Sequence, residues 1–434
     1  MTSAGGRGLD WDFADAHLAR PTQDHLEAAV VLEAWGGVPP GEAFTLTSAQ
    51  RRPQNDEFRP RIVRPDPLDP SLALGDLGFV AGILGMGFYL STLTGKLGAQ
   101  SVDSAWRLAL PLSLAMQWAI RRRYLSGTDG LGRLRNDPRV LAVTLGAMAL
   151  CLPIRPGGWL AACLIGIWVG GFIITRLGWG LAFGGALLGG AGVLRAGLSP
   201  FIVLPVLTLL ALATASLGVR RHRPSDRLPG VRERAIGAGV IGAGVGGILV
   251  LEPKFLWDGR AALVAITVVP ALLGSVWGGW HMGKLWRVLP EALVQQRFSA
   301  HGPGRGITVV RSLLGGALIR VVVGASVGSI PILAWAASGA GPLDDVWALL
   351  TAHLLLGVAG LAVSLLEAFD RWGTALSAVV SGCLACVVVN LADPAHDLVP
   401  GSRIGVGALV VIVVSSPALL RLVAHPARTL AARA

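Results

Sequence analysis

Charged and titratable side chains are scarce in the apolar stretches of this chain, so each one is a candidate for chemistry. Arg320 lies in GALIRVVVGAS, about three turns into an apolar run, where a costly charge is a functional candidate; the alternative is a side chain snorkelling to a membrane surface. His353, in WALLTAHLLLGVAG, would titrate near neutral pH or contact a polar ligand, and otherwise is a hydrogen-bonded packing histidine. With Asn390, Arg107 and nearby Ser and Thr, these two are expected to converge on one hydrated substrate cavity. Asp76, Asp129 and Arg133 are gating or topology candidates, together with Pro205, Pro270 and Pro331, which free backbone groups inside apolar segments and let helices bend.

Other chemistries lack their residues. No interior carboxylate pair suits an acidic proton relay, and there is no Walker lysine loop, HExxH or GxSxG. Asp344-Asp345 could hold a metal with a phosphate donor, but an adjacent pair at a helix start also complements the helix dipole. Cys383-Leu-Ala-Cys386 has redox spacing, yet lies in an apolar run where thiols act as small hydrophobes. An embedded glycosyl- or acyltransferase would have to draw on Asp344, Asp345, Asp393, His396 and Asp397. Neither a cofactor nor a bound metal is implied.

The elements that position these residues are membrane spans. Of 434 residues, 53% are hydrophobic and 15% charged, against roughly 25% charged in soluble proteins. With a mean hydropathy of +0.62, this excludes a soluble globular enzyme. Apolar runs bounded by charge or Gly/Pro predict an all-α, polytopic membrane protein with about twelve helices, near 72–95, 105–120, 139–154, 158–175, 178–194, 198–219, 235–251, 260–282, 312–336, 343–366, 373–392 and 403–423. Residues 72–219 and 235–423 then form two six-helix halves joined by a basic linker, 220–234, with a basic tail at 424–434.

Charge sets the orientation. Beyond residue 71, 22 of the 30 Lys and Arg fall on the side that the N-terminus occupies and seven on the other, which places both termini in the cytoplasm of a cell-membrane protein. Basic residues that punctuate apolar segments do not form a nucleic-acid patch. Trp106, Trp118, Trp159, Trp179, Trp257, Trp286 and Trp347 fall near span ends, as interfacial rings do. The pairs Gly166/Gly170, Gly185/Gly189 and Gly242/Gly246 are spaced for close helix approach. Residues 1–71 are acidic and without a signal peptide; they read as a cytoplasmic tail with one short helix near 24–35 and a proline-rich tether from 36 to 70. The tail is a candidate docking element for a cytoplasmic protein.

The run LGFVAGILGMGFYLSTLTGKLGAQSVDSAWRLALPLSLAMQW, the segment GTDGLGRLRND and the later KLWRVLPEALVQQRF with SLLGGALIRVVVGASVGSIPILAWAASGAGPLDD resemble flippases of the multidrug/oligosaccharidyl-lipid/polysaccharide superfamily. That resemblance implies two pseudo-symmetric lobes around a central cavity alternating between leaflets, membrane lipids as surroundings, and a lipid-linked glycan or other amphiphile as substrate. It also implies basic cavity residues that hold pyrophosphate, a role for which Arg320 is the candidate. Asp129, Gly132 and Arg133 partly match a loop motif of the major facilitator superfamily, the rival transporter class. A non-transporting membrane scaffold that anchors a cytoplasmic or secretion complex through its acidic tail is the alternative outside transport.

Overall fold

In the computed structural model the described residues are 14, 17, 25–49, 70–125, 130–224, 232–252, 263, 264, 266–279, 281, 304–369, 371–393 and 398–424, and they include no strand. The chain divides into two units, residues 1–67 with 286–310, and residues 68–285 with 311–434. In the first, α1 (His25–Ala34) packs on α2 (Pro40–Ala49), closing a small core of Ala29, Leu32, Val38 and Ala43. The second of these helices falls in the stretch that reads as a tether. Pro40 opens it at a position that needs no N–H, and Ala43, Phe44 and Leu46 give it an apolar face.

The second unit is a helix bundle. Its helices are α3 (Pro70–Leu97), α4 (Ala99–Arg123), the short α5 (Gly130–Arg135), α6 (Arg139–Cys151), α7 (Gly158–Arg176), α8 (Gly180–Arg195), α9 (Pro200–Arg221), α10 (Arg232–Val250), α11 (Ile266–Gly279), α12 (Gly304–Trp335, in this unit from residue 311), α13 (Leu343–Ala368), α14 (Trp372–Ala392) and α15 (Ser402–Ala424). Seven helices among the described residues are long and apolar enough to cross a membrane: α7, α9, α10, the stretch Leu314–Gly339 that begins in α12, α13, α14 and α15. Three more, α6, α8 and α11, are apolar but shorter. Their outer surfaces carry Leu150, Phe201, Leu209, Val388 and Leu391, each more than 60% exposed, which only a hydrocarbon solvent makes favourable across a whole bundle.

Local chemistry explains the helix ends. Ser199 accepts from the Phe201 N–H at 3.3 Å and Pro200 takes the first helical position of α9, so two of its orphan N–H groups need no other partner. Asp344 and Asp345 lie in the first turn of α13, and Arg121, Arg122 and Arg123 in the last turn of α4, each favourable with the helix dipole.

Helix pairing follows one scheme twice. In the first half α3 packs on α8, α7 on α9, α8 on α9, and α4 on α7; in the second α10 packs on α14, α13 on α15, and α14 on α15. The fourth pair is repeated by α11 and α13, where a Cβ at Gly357 would stand 3.2 Å from Ser275 and 3.5 Å from the Ala271 carbonyl. Four pairings of the first half thus recur in the second, whereas α6 packs on α7 without a like packing of α12 on α13 among the described residues.

Small residues set the closest approaches. A Cβ on Gly78 of α3 would stand 2.5 Å from the Gly180 Cα of α8, and one on Gly184 would stand 2.9 Å from the Ala81 backbone. Gly166 and Gly170 meet Thr208 and Ala211 across α7 and α9, and Gly242 and Gly246 meet Leu114 and Pro111 across α10 and α4. Gly185 and Gly189 have nothing within 4 Å, so that pair is not used between helices of this chain; Gly180 and Gly184, one turn earlier, serve α8 instead.

Candidate ligand cavity

The two halves line a cavity of about 420 Å³. Helices in equivalent positions line it: α3, α4 and α7 from the first half, α10, α11 and α13 from the second, with Phe183 of α8 and Ile404 of α15. Its wall is mostly apolar and strongly aromatic, with Trp106, Trp118, Trp168, Phe172 and Phe183 on it. Trp106 and Trp168 meet edge to face at 5.3 Å between centroids, a favourable aromatic geometry that joins α4 to α7. A Cβ at Gly171 would stand 2.3 Å from the Phe183 ring, so the absent side chain is what admits the ring to the wall.

The polar groups on the wall are mostly satisfied. Ser113 donates to the Leu110 carbonyl at 3.1 Å, Thr175 to Phe172 at 2.7 Å, and Gln117 Nε2 to Trp168 at 3.4 Å. Glu252, the one carboxylate among the described residues on the wall, accepts from the backbone N–H groups of Arg403 and Ile404 at 3.2 and 3.4 Å, at the start of α15 where the helix dipole favours an anion. The Arg403 side chain is turned to Asp393, at 3.1 Å. Among the described residues, two on the wall have a buried nitrogen with no hydrogen-bond partner, Trp106 Nε1 and His353 Nδ1. The His353 ring donates instead to the Thr267 backbone of α11.

An ion pair joins the halves beside the cavity wall. Arg121 Nη2 of α4 lies 2.8 Å from Glu367 Oε2 of α13, and its guanidinium sits 4.4 Å above the Trp118 ring that lines the wall. At the same end of α4, the Tyr124 hydroxyl donates to Asp137 at 2.6 Å. Burial pushes the Tyr124 hydroxyl up to about 12, and the bond to Asp137 adds to it. For Asp137 burial acts upward, but the Tyr124 hydroxyl, the Arg139 N–H and the Arg123 guanidinium outweigh it and hold the carboxyl below its ordinary value. A raised phenol contributes stability below its unfolded value near 10 and loses it as pH rises through about 12. In a Tyr89→Phe chain, where Tyr124 is the sole tyrosine, the phenolate absorbance step at long ultraviolet wavelength is therefore expected near pH 12 rather than 10.

The structure does not gather the residues expected to converge. His353 lines the cavity and is 1% exposed. Arg320 is not on the wall; its Nη1 donates to the Gly316 carbonyl at 2.9 Å and its guanidinium lies 5.7 Å from the Trp277 ring, on the α11 and α12 pair. The packing of α12 on α11, where a Cβ at Gly324 would stand 2.9 Å from the Gly274 Cα, fixes that side chain away from the centre. Asn390 sits part-buried on α14, and Arg107 is exposed and paired with Asp103 on its own helix. Among the gating candidates, Arg133 is buried on α5, Pro205 and Pro331 lie inside α9 and α12, and Pro270 of α11 packs against Gly328 of α12. Asp76 falls in the second turn of α3, and Asp129, His396 and Asp397 lie outside the described residues.

Trp106 and Trp118 are the wall residues that the sequence reading assigns elsewhere. Helix α4 begins at Ala99 rather than near 105, so Trp106 is two turns inside it, and both rings face the cavity instead of a membrane surface. Among the described residues no group of three His, Cys, Asp or Glu could hold a metal ion. The fold and this cavity define the class: a multi-pass bundle of apolar helices around a central ligand-sized cavity. Comparison of the chain with protein-family models, with curated proteins and with solved structures finds no match.

Proposed function

We propose that this chain is a membrane transporter that moves an amphiphile between leaflets by alternating access, in the manner of a flippase or exporter. The observation that carries the reading is the repeated pairing scheme, because two halves built alike around one cavity, with equivalent helices on its wall, are the arrangement in which one half can rock against the other. In this reading twelve helices span a cell membrane with both termini in the cytoplasm, a topology supported by the excess of Lys and Arg in the loops on the N-terminal side. Aromatic, apolar walls suit the hydrocarbon part of an amphiphile better than a polymer of sugars, which needs many hydrogen-bonding groups.

The dispersal of Arg320, Asn390 and Arg107 favours the second reading, a scaffold whose bundle anchors residues 1–71 for a cytoplasmic partner. Proteoliposomes decide between them. With a fluorescent NBD-labelled glucosylceramide in the membrane, the transport reading expects dithionite to bleach inner-leaflet probe at least tenfold faster than in empty vesicles. A rate equal to that of empty vesicles overturns it in favour of the scaffold.

A further inference from the structure

We infer that the groove between α8 and α9, on the outer face of the bundle, holds one acyl chain of an anionic glycerophospholipid, whose phosphate is bound at the groove's end by Arg221 and the arginines around it. The inference needs the bundle to lie in a membrane and is independent of whether the central cavity transports anything.

The groove measures about 200 Å³. Ala182 and Ala186 of α8 form one side, Leu207, Leu210 and Thr214 of α9 the other, and the buried Ile174 of α7 the floor. Ala182 and Leu210 are exposed, as are Leu181 and Leu209 next to them, so the groove opens on the surface that hydrocarbon covers. Sites for drug-sized ligands run to ~300–1,000 Å³, and this smaller groove suits part of a single chain. The two alanines leave α8 low where α9 presents leucines. At the other end of α8 a Cβ on Gly190 would stand 2.7 Å from the Leu207 side chain, so the helices close on each other there and the groove can lengthen only toward the C-terminus of α9.

That direction carries positive charge. Counting from Leu207, the residues Leu210, Thr214 and Arg221 fall at i+3, i+7 and i+14, which keeps them on one face of α9. Arg221 lies about 10 Å beyond Thr214 at ~1.5 Å per residue, an interval that the glycerol and its ester groups fill. A Cβ on Gly218, one turn before Arg221, would overlap the Leu177 side chain. The turn after α7 is therefore seated on α9, and it brings the exposed Trp179 ring to the groove, where an indole suits the level at which chain gives way to headgroup. Arg220 and Arg223 are exposed beside Arg221, and the exposed Arg135 of α5 joins them by donating to the His222 carbonyl at 2.6 Å. Asp137, two residues from Arg135, is engaged by the Tyr124 hydroxyl and by Arg123. A phosphate matches such a cluster, since each guanidinium fork can bond two of its oxygens, whereas a zwitterionic headgroup would bring its own cation among the arginines.

Phosphatidylglycerol and phosphatidylcholine with matched chains, one chain of each bearing a photoactivated diazirine, test this on the full-length protein in nanodiscs of unlabelled phosphatidylcholine. Peptide mapping after irradiation reads the label on residues 179–187 and 207–214. Phosphatidylglycerol is expected to label these segments at least tenfold more than phosphatidylcholine. Arg221→Gln should lower that label about fivefold, the weight of one arginine beside anionic lipid. Ala186→Trp fills the groove and should remove the label from both segments while leaving it on other helices. Equal labelling by the two lipids overturns the inference, and so does a label that neither variant changes. The lipid comparison uses the unaltered chain, so it holds whether or not a variant folds. Absence of label from both segments, with dimers in the native mass spectrum, overturns it in favour of a second copy of the chain seated in the groove.

Discussion

Gly246→Leu is expected to lower the stability of the bundle by about 3 kcal/mol, the upper part of the range for overpacking, and to be the most damaging single glycine change at the junction of the halves. A Cβ there would stand 2.6 Å from the Pro111 Cα and 3.0 Å from the Pro111 nitrogen, and neither can rotate away because both are backbone. One turn earlier a Cβ on Gly242 would meet the Leu114 carbonyl at 2.5 Å, so α10 has no slack by which to slide along α4. The two helices would have to separate, and they line the cavity through Leu110, Leu114, Val245 and Leu249. Gly189→Leu is the control. It has nothing within 4 Å and its face of α8 is exposed, so its effect should stay within about 0.5 kcal/mol. Thermal unfolding in detergent, run on both variants, checks the contrast; similar losses in both would show that the apposition of α4 and α10 is not what holds the halves together.

The positions of the helices are legible in the sequence because hydrocarbon solvent demands long apolar runs and the loops between them are marked by Arg, Gly and Pro. The Gly242/Gly246 and Gly166/Gly170 pairs are legible for the same reason that they work: only spacing is needed to bring two small residues to one face. Spacing does not say whether a neighbour is there, so Gly185/Gly189 reads identically and meets only space. The cavity is harder to read. Ser101, Asp103, Ser104 and Arg107 dilute the hydropathy of α4, and its start therefore reads about six residues late, which turns a cavity tryptophan into an interfacial one. Partners across the halves, such as Arg121 with Glu367, are 246 residues apart and carry no local signal. His353 is legible as a costly residue in an apolar helix, whereas the placement of Arg320 depends on how α12 packs against α11, which no single helix reveals.

Arg121→Ala should destabilise the protein by about 2 to 3 kcal/mol and raise access to the cavity wall beside the ion pair. Breaking a buried pair costs about 3 to 5 kcal/mol because the remaining charge is stranded. Here Glu367 is the stranded partner, its side chain 6% exposed, while the Arg121 side chain is 36% exposed and solvent already screens part of the interaction, which places the effect at or below the low end of that range. Glu367 Oε1 has no other hydrogen-bond partner, so nothing on α13 takes over. The double variant Arg121→Ala/Glu367→Leu removes the stranded carboxylate and should recover most of the stability, but not the parent's low access, because the bond that ties α4 to α13 is still missing. That difference separates a latch from a merely structural pair. A cysteine placed at Ser113 on the wall, in a chain whose Cys151, Cys163, Cys383 and Cys386 are alanine, reports it through labelling by an impermeant maleimide. Labelling should rise at least tenfold in both the single and the double variant, and rates that return to the parent value in the double variant would assign the pair to stability alone.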